Sequence, residues 1–140
     1  MICVDASVAA KWVLSEDDSD LADQIYITFH EGGIIAPPFL PVEVTNAIWK
    51  HVVRGPLTVA EAQEALAKFL EFELEISERS GLHRLALDLT YRFSLRAVYD
   101  MHYVALAQLA GCDLWTADRR LLNAVSGRLP FVRDLAEVRG

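Results

Sequence analysis

Four acids stand where a solvated surface acid is out of place: Asp5, Glu43, Asp100 and Asp118. Asp5 ends the apolar run Ile2-Cys3-Val4. Glu43 lies in Pro41-Val42-Glu43-Val44. Asp100 opens a stretch running through Met101, His102, Tyr103, Val104, Ala105, Leu106 and Ala107. Asp118 closes Leu114-Trp115-Thr116-Ala117. Carboxylates gathered in one site raise each other's pKa, so they do not all stay ionised without a cation. Hard carboxylate oxygens are the ligands that Mg²⁺ or Mn²⁺ prefers. An ion held there would lower the pKa of a bound water and polarise a phosphate.

The elements that must position these acids follow from pattern. Residues 1–5 predict a short buried strand, followed by a helix over Val8 to Leu14 with Ser7 as its cap. The acidic run Glu16-Asp17-Asp18-Ser19-Asp20 reads as a solvated turn and the negative first turn of a second helix, which runs to about His30 and stops at Gly32-Gly33. Ile34-Ile35-Ala36 is a second strand, ended by Pro37-Pro38. A third helix spans about Leu40 to Val53, with Leu40, Val44, Ala47, Ile48 and His51 on its core-facing stripe. Thr58 and Glu61 form a capping box for a fourth helix ending near Phe72. Leu74-Glu75-Ile76 is a third strand and Gly81 to Phe93 a fifth helix. The sixth helix runs from Asp100 to Gly111, strand four from Asp113 to Thr116, helix seven from Arg119 to Val125, and Phe131-Val132 makes a last strand. Strands alternating with helices in this way predict an α/β fold with a mostly parallel sheet covered on both faces.

Open parallel sheets bind ligands outside the carboxyl ends of their strands. Asp5 and Asp118 both fall there. Helix capping is the competing role for both, since a helix follows each, though Ser7 is the better-placed cap near Asp5. At about 100° per residue, Glu43, Asn46 and Lys50 share a stripe at the edge of the apolar face, where a side chain faces either a cleft or water. Asn46 would hold Glu43 or a metal-bound water, or be a plain surface amide. Asp100 heads a helix that is apolar nearly all round and therefore buried. It would cap that helix, and the positive helix end would lower its pKa. Ser7 and Thr116 are short hydroxyls near Asp5 and Asp118, suited to a phosphate oxygen, a metal-bound water, a cap or a turn. Asp113 lies at the far end of strand four, over 10 Å from Asp118 at roughly 3.3 Å per residue, and is left out of the group.

With 140 residues the chain has the size of one ordinary domain, and 53% hydrophobic against 24% charged residues argues against disorder. No apolar run approaches the roughly 20 residues that span a bilayer. Met1-Ile2-Cys3-Val4-Asp5 lacks the basic and apolar regions of a signal peptide, which predicts a cytoplasmic protein. Cys3 and Cys112 read as small buried hydrophobes rather than a disulfide or a zinc site. The net charge of −7 argues against a general nucleic-acid coat protein. It leaves room for a metal-dependent nuclease, because bound cations reverse the local sign of such a site.

These motifs resemble the PIN-domain ribonucleases, and within them the VapC toxins of toxin–antitoxin pairs. Val4-Asp5-Ala6-Ser7-Val8 looks like the first acidic motif of the family. Pro41-Val42-Glu43-Val44-Thr45-Asn46-Ala47 looks like the second, and Tyr99-Asp100-Met101-His102-Tyr103 the third. Leu114-Trp115-Thr116-Ala117-Asp118-Arg119-Arg120-Leu121 looks like the fourth. The resemblance runs nearly end to end. It implies a single PIN domain over residues 1–140, a three-layer α/β/α fold with a five-stranded, mostly parallel sheet ordered 3-2-1-4-5. It implies Asp5, Glu43, Asp100 and Asp118 around Mg²⁺ or Mn²⁺, with Ser7, Asn46 and Thr116 in support. The implied reaction is hydrolysis of RNA to 5′-phosphate and 3′-hydroxyl ends. A homodimer and an inhibitory VapB-type antitoxin are implied as well.

Two other classes compete. One is a PIN-like module that binds RNA or a partner without cutting. The other is a Mg²⁺-dependent phosphotransfer domain, but a haloacid-dehalogenase-type phosphatase needs a second Asp where this chain has Ser7. A receiver needs a Lys after its last strands, and beyond Asp118 there is none. Arg119, Arg120, Lys11 and Lys50 are candidates for the RNA backbone or for solvated surface. Trp12, Trp49, Phe69, Phe72 and Tyr91 suit either an interface or the core.

Overall fold

Parallel strands covered on both faces are apolar throughout, and that is what β1 (Ile2–Val4) and β2 (Ile34–Ala36) look like: every residue in both is buried. The computed structural model describes residues 1–139. After β1 come α1 (Ala6–Ala9), a 3-10 turn over Ala10–Trp12 and α2 (Ser19–Phe29). Then follow β2, α3 (Leu40–Val53), α4 (Val59–Phe69), β3 (Glu75–Ile76), α5 (Leu82–Arg92) and α6 (Tyr99–Ala110). The chain closes with β4 (Asp113–Thr116), α7 (Arg119–Val125), β5 (Val132–Asp134) and a 3-10 turn over Leu135–Arg139. The strands form one sheet in the order β3-β2-β1-β4-β5, and all four pairings are parallel. This is the expected α/β/α fold.

The central pairing fixes the register on which everything else depends. Cys3 sits opposite Leu114 and Val4 opposite Trp115. Asp5 and Thr116 therefore leave the same end of two adjacent strands. Beneath them, Ile35, Leu40, Leu106 and Leu114 are fully buried, each contributing about 1.5–3 kcal/mol of hydrophobic stabilisation. The helix α6 is buried from Met101 through Ala107, as its all-round apolar sequence requires. Gly111 ends it at φ 67°, a left-handed backbone that residues with a Cβ resist.

Several local expectations are met residue for residue. The ranges of α3, β4 and α7 coincide with the predicted ones, and Thr58 and Glu61 close both halves of the capping box. Others need correction. Ser7 does not cap the first helix: Asp5 does, accepting from the Val8 amide at 3.3 Å, so the helix starts at Ala6 and tightens into a 3-10 turn instead of running to Leu14. Asp100 does not cap α6 either; Val98 holds the cap position and Asp100 is the second helical residue. The fourth helix stops at Phe69, because Phe72 turns inward to stack on Trp12 with ring centroids 5.1 Å apart. The last strand lies one residue further on than Phe131. Asp134 ends it and turns the chain, its Oδ1 accepting from the Ala136 amide at 3.0 Å.

The aromatics divide. Trp12 and Phe69 are buried, whereas Trp49 and Tyr91 are exposed. Cys3 and Cys112 are both free thiols, the first buried and the second half-buried. Among the described residues no helix is long and apolar enough to cross a membrane.

Candidate active site

The carboxylate of Asp5 is almost completely buried and is surrounded by donors. Ser7 Oγ donates to its Oδ1 at 2.5 Å, and the Val8 amide reaches the same oxygen. Thr116 Oγ1 donates to Oδ2 at 2.5 Å. Burial nevertheless dominates: it pushes the Asp5 pKa up to about 7, against the pull of the three hydrogen bonds and with a further push from Asp118. Ser7 and Thr116 are thus neither cap nor turn residues in the simple sense. Ser7 Oγ also accepts from the Ala117 amide at 2.8 Å, and Thr116 Oγ1 accepts from the Asp118 amide at 3.0 Å. Between them they stitch the end of β1 to the end of β4.

Asp118 is a helix cap that also sits within electrostatic reach of the other three acids. Its Oδ1 accepts from the Arg120 and Leu121 amides and caps α7. Its charge at the same time raises the pKa of Asp5, Glu43 and Asp100. Glu43 is half-buried at the first turn of α3. Burial raises its pKa most, Asp100 and Asp118 add to the rise, and a hydrogen bond from Tyr103 opposes it. Asp100 behaves differently from expectation. The helix end is expected to lower its pKa, but burial and then Asp118 raise it, and Arg120 opposes them. Desolvation outweighs a partial charge here. The four predicted acids therefore form one electrostatic unit: each of the other three feels Asp118, and Glu43 also feels Asp100.

The supporting cations separate in the same way. Arg120 lowers the Asp100 pKa, whereas Arg119 turns away to pair with Asp134 at 2.9 Å. Ser7, Lys11, Glu43, Asn46 and Lys50 line a cleft of about 330 Å³ beside the acids. Lys11 is partly engaged, donating to the Asp17 carbonyl at 2.9 Å. Asn46 is exposed in that cleft, one helical turn from Glu43. Asp113, excluded by its position on β4, pairs with Arg133 at 3.3 Å.

Sequence reasoning missed Tyr103. This residue is 1% exposed, and its hydroxyl donates to Glu43 Oε1 at 2.6 Å. The signal was present: a buried Tyr hydroxyl needs a partner, and Tyr103 sits three residues after Asp100. Hydrogen bonds to charged groups are worth about 1.5–3 kcal/mol. Tyr103→Phe removes the tether that holds Glu43 and lets its pKa rise further. In any reaction that uses the ionised Glu43, the expected result is a loss of about tenfold or more in kcat, with the acid limb of the pH–rate profile displaced to higher pH. An unshifted profile measured on the purified variant would show that the hydroxyl is only a packing group.

The donor set is suited to a hard divalent ion in type, since all four candidate ligands are carboxylates. Among the described residues, no three His, Cys, Asp or Glu side chains stand close enough together to enclose an ion as they are. The acids nevertheless repel one another, as their mutually raised pKa values show. The same repulsion, with a carboxyl pushed to about pH 7 inside it, is what a bound cation would relieve.

Residues 2–127 match the PIN domain family. The chain is 33% identical over 122 residues to Ribonuclease VapC3 of Pyrobaculum aerophilum, covering 86% of this chain and 91% of that protein. Its fold is similar to the crystal structure of PAE2754 from Pyrobaculum aerophilum, with a TM-score of 0.70 and 24% identity, over 99% of this chain and 96% of the other. The likeness to PAE2754 concerns the fold; the match over residues 2–127 and the likeness to VapC3 concern descent. The chain belongs to the PIN-domain family, and within it is a relative of the VapC ribonucleases.

Proposed function

We propose that this chain is a single-domain, divalent-metal-dependent ribonuclease of the VapC type. It acts as the toxin of a cytoplasmic toxin–antitoxin pair, as a homodimer restrained by a VapB-type antitoxin. The observation that carries this reading is the coupling of Asp5 and Asp118, just past the carboxyl ends of β1 and β4, with Glu43 and Asp100 in the first turns of α3 and α6. A purely structural set of caps would not put four carboxylates in mutual repulsion. The relative named Ribonuclease VapC3 supports the choice of RNA as substrate.

Asp5 and Asp100 are the principal ligands in this proposal, and Asp118 completes the set directly or through a water. Mg²⁺ or Mn²⁺ bound there would supply positive charge to the scissile phosphate and acidify a water. Glu43 would be the residue to orient a water or accept its proton. Tyr103 holds Oε1, so Oε2 is the oxygen assigned to the water in this reading. Ser7 and Thr116 fix Asp5. Asn46 and Lys50, in the adjoining cleft, contact the RNA backbone, and Arg120 offsets the charge at Asp100.

The test is cleavage of structured RNAs by the purified protein in Mg²⁺, in Mn²⁺ and in EDTA, beside an identically prepared Asp100→Asn variant. Cutting that needs the metal and is absent from the variant is the expected result. Equal cutting by both proteins overturns the proposal. Metal binding without cutting of any RNA favours a module that binds and does not hydrolyse.

A further inference from the structure

Away from the acids, two histidines meet across the α5–α6 packing. His83 Nδ1 and His102 Nε2 are 3.0 Å apart. The outer nitrogen of each ring is already assigned by its partner. His102 Nδ1 lies 2.8 Å from the Val98 carbonyl. A carbonyl only accepts, so Nδ1 carries the hydrogen and Nε2 of the neutral ring is a bare lone pair. His83 Nε2 lies 2.6 Å from Glu78 Oε1. The carboxylate likewise takes the hydrogen of Nε2 and leaves Nδ1 bare. In their neutral forms the two inner nitrogens therefore point lone pairs at each other, an arrangement that needs something positive between them.

We infer that His83 and His102 form a binding site for a borderline divalent ion such as Zn²⁺, separate from the oxygen-lined acid cleft. Imidazole nitrogens suit zinc, copper and nickel, whereas carboxylates suit magnesium and manganese. Two ligands at Zn–N distances of about 2.0–2.1 Å and a tetrahedral angle stand about 3.3 Å apart, so the observed pair needs to open only slightly. The surroundings match the usual support of a metal-bound histidine, whose second ring nitrogen donates to a carboxylate or a backbone carbonyl. Here Glu78 does this for one ring and Val98 for the other. His102 is held rigidly: it is buried, and Phe39 packs edge-on with centroids 5.5 Å apart. His83 is exposed and lines an open surface hollow with Glu78, Arg79 and Arg84. Solvent can thus supply the remaining ligands, and the two arginines make the site weaker than a closed zinc cage. An ion there would fasten α5 to the first turn of α6, the turn that carries Asp100.

The experiment is Zn²⁺ calorimetry on the full chain in excess Mg²⁺, which keeps the oxygen cleft supplied, followed by Cu²⁺ electron paramagnetic resonance. We expect one equivalent of Zn²⁺ bound by the wild type and a raised Tm. His83→Ala should lose both while keeping its Mg²⁺-dependent behaviour, since that ring is exposed and outside the acid cleft. Glu78→Gln should weaken Zn²⁺ binding about tenfold or more. The Cu²⁺ spectrum should carry the splitting of two nitrogen ligands, which a carboxylate site cannot give. Absence of Zn²⁺ binding in the wild type, or equal binding by His83→Ala, overturns the inference and leaves a shared proton as what joins the rings. Neither result depends on whether the protein cuts RNA.

Discussion

Asp5→Asn is expected to abolish metal-dependent cutting and, in the same protein, to raise stability when metal is removed. Under the proposed function the activity loss follows from deleting one of the proposed metal ligands and is expected to reach at least about 10²–10³-fold, the scale for removing one electrostatic stabiliser of a transition state. The stability gain follows from burial. The Asp5 carboxyl titrates near pH 7 in the fold instead of 3.8, so ionising it works against the folded state. The sign is fixed by linkage: a group with a raised folded pKa favours the fold fully below its unfolded pKa, and that contribution is lost as pH climbs through about 7. The whole shift converts to roughly 4 kcal/mol as an upper bound. Asn must still satisfy Ser7, Val8 and Thr116, so about 2 kcal/mol is expected at pH 8. Chemical denaturation of both proteins in EDTA checks this. The difference should be largest above pH 7 and fade towards pH 4. A variant that is less stable than the wild type at pH 8 would refute the account of Asp5 as an electrostatic burden offset by metal.

Thr116→Val is expected to act in the opposite direction. Valine keeps the shape of a fully buried side chain but removes the oxygen that donates to Asp5 and accepts from the Asp118 amide. One carboxylate loses a donor, and one amide loses its partner. Leaving such groups unmet costs about 1–3 kcal/mol each, so a total of about 3 kcal/mol is expected, or about 10 °C in Tm at this chain length. The penalty should be greater at pH 8 than at pH 5, because Thr116 favours the ionised form of Asp5. Thr116→Ser retains the hydroxyl and should recover most of the loss. If Val and Ser variants melt together, the lost interaction is packing of the methyl group and not the hydrogen-bonded bridge.

The two innermost early strands were legible because β1 and β2 are apolar runs bounded by Asp, Gly or Pro, and α3, β4 and α7 kept the ranges their sequence punctuation implied. Thr58 and Glu61 announced their own helix. What the sequence could not convey was competition between neighbours. Ser7 and Asp5 are both good caps, and only the arrival of Thr116 and Ala117 from a distant strand decides that Asp5 caps while Ser7 bridges. Asp100 followed the same logic. A helix end suggests a lowered pKa, but the packing that buries it and brings Asp118 near is tertiary. Tyr103 was hidden among apolar neighbours on a helix read as all core. Its hydroxyl gained meaning only when α3 placed Glu43 against it.

The bridge between Asp5 and Thr116 spans a sequence separation of 111 residues, and this has a consequence during synthesis. A chain emerging from the ribosome presents Asp5 and Glu43 early, but strand β4 comes only after Ala110. Long-range pairings of this kind form late, since their loop closure must precede any reward. Until β4 seats beside β1, Asp5 lacks its Thr116 donor and Asp118 has no fixed position. An incomplete chain therefore lacks the assembled acid cluster, and under the proposed function cutting starts only with the nearly finished protein.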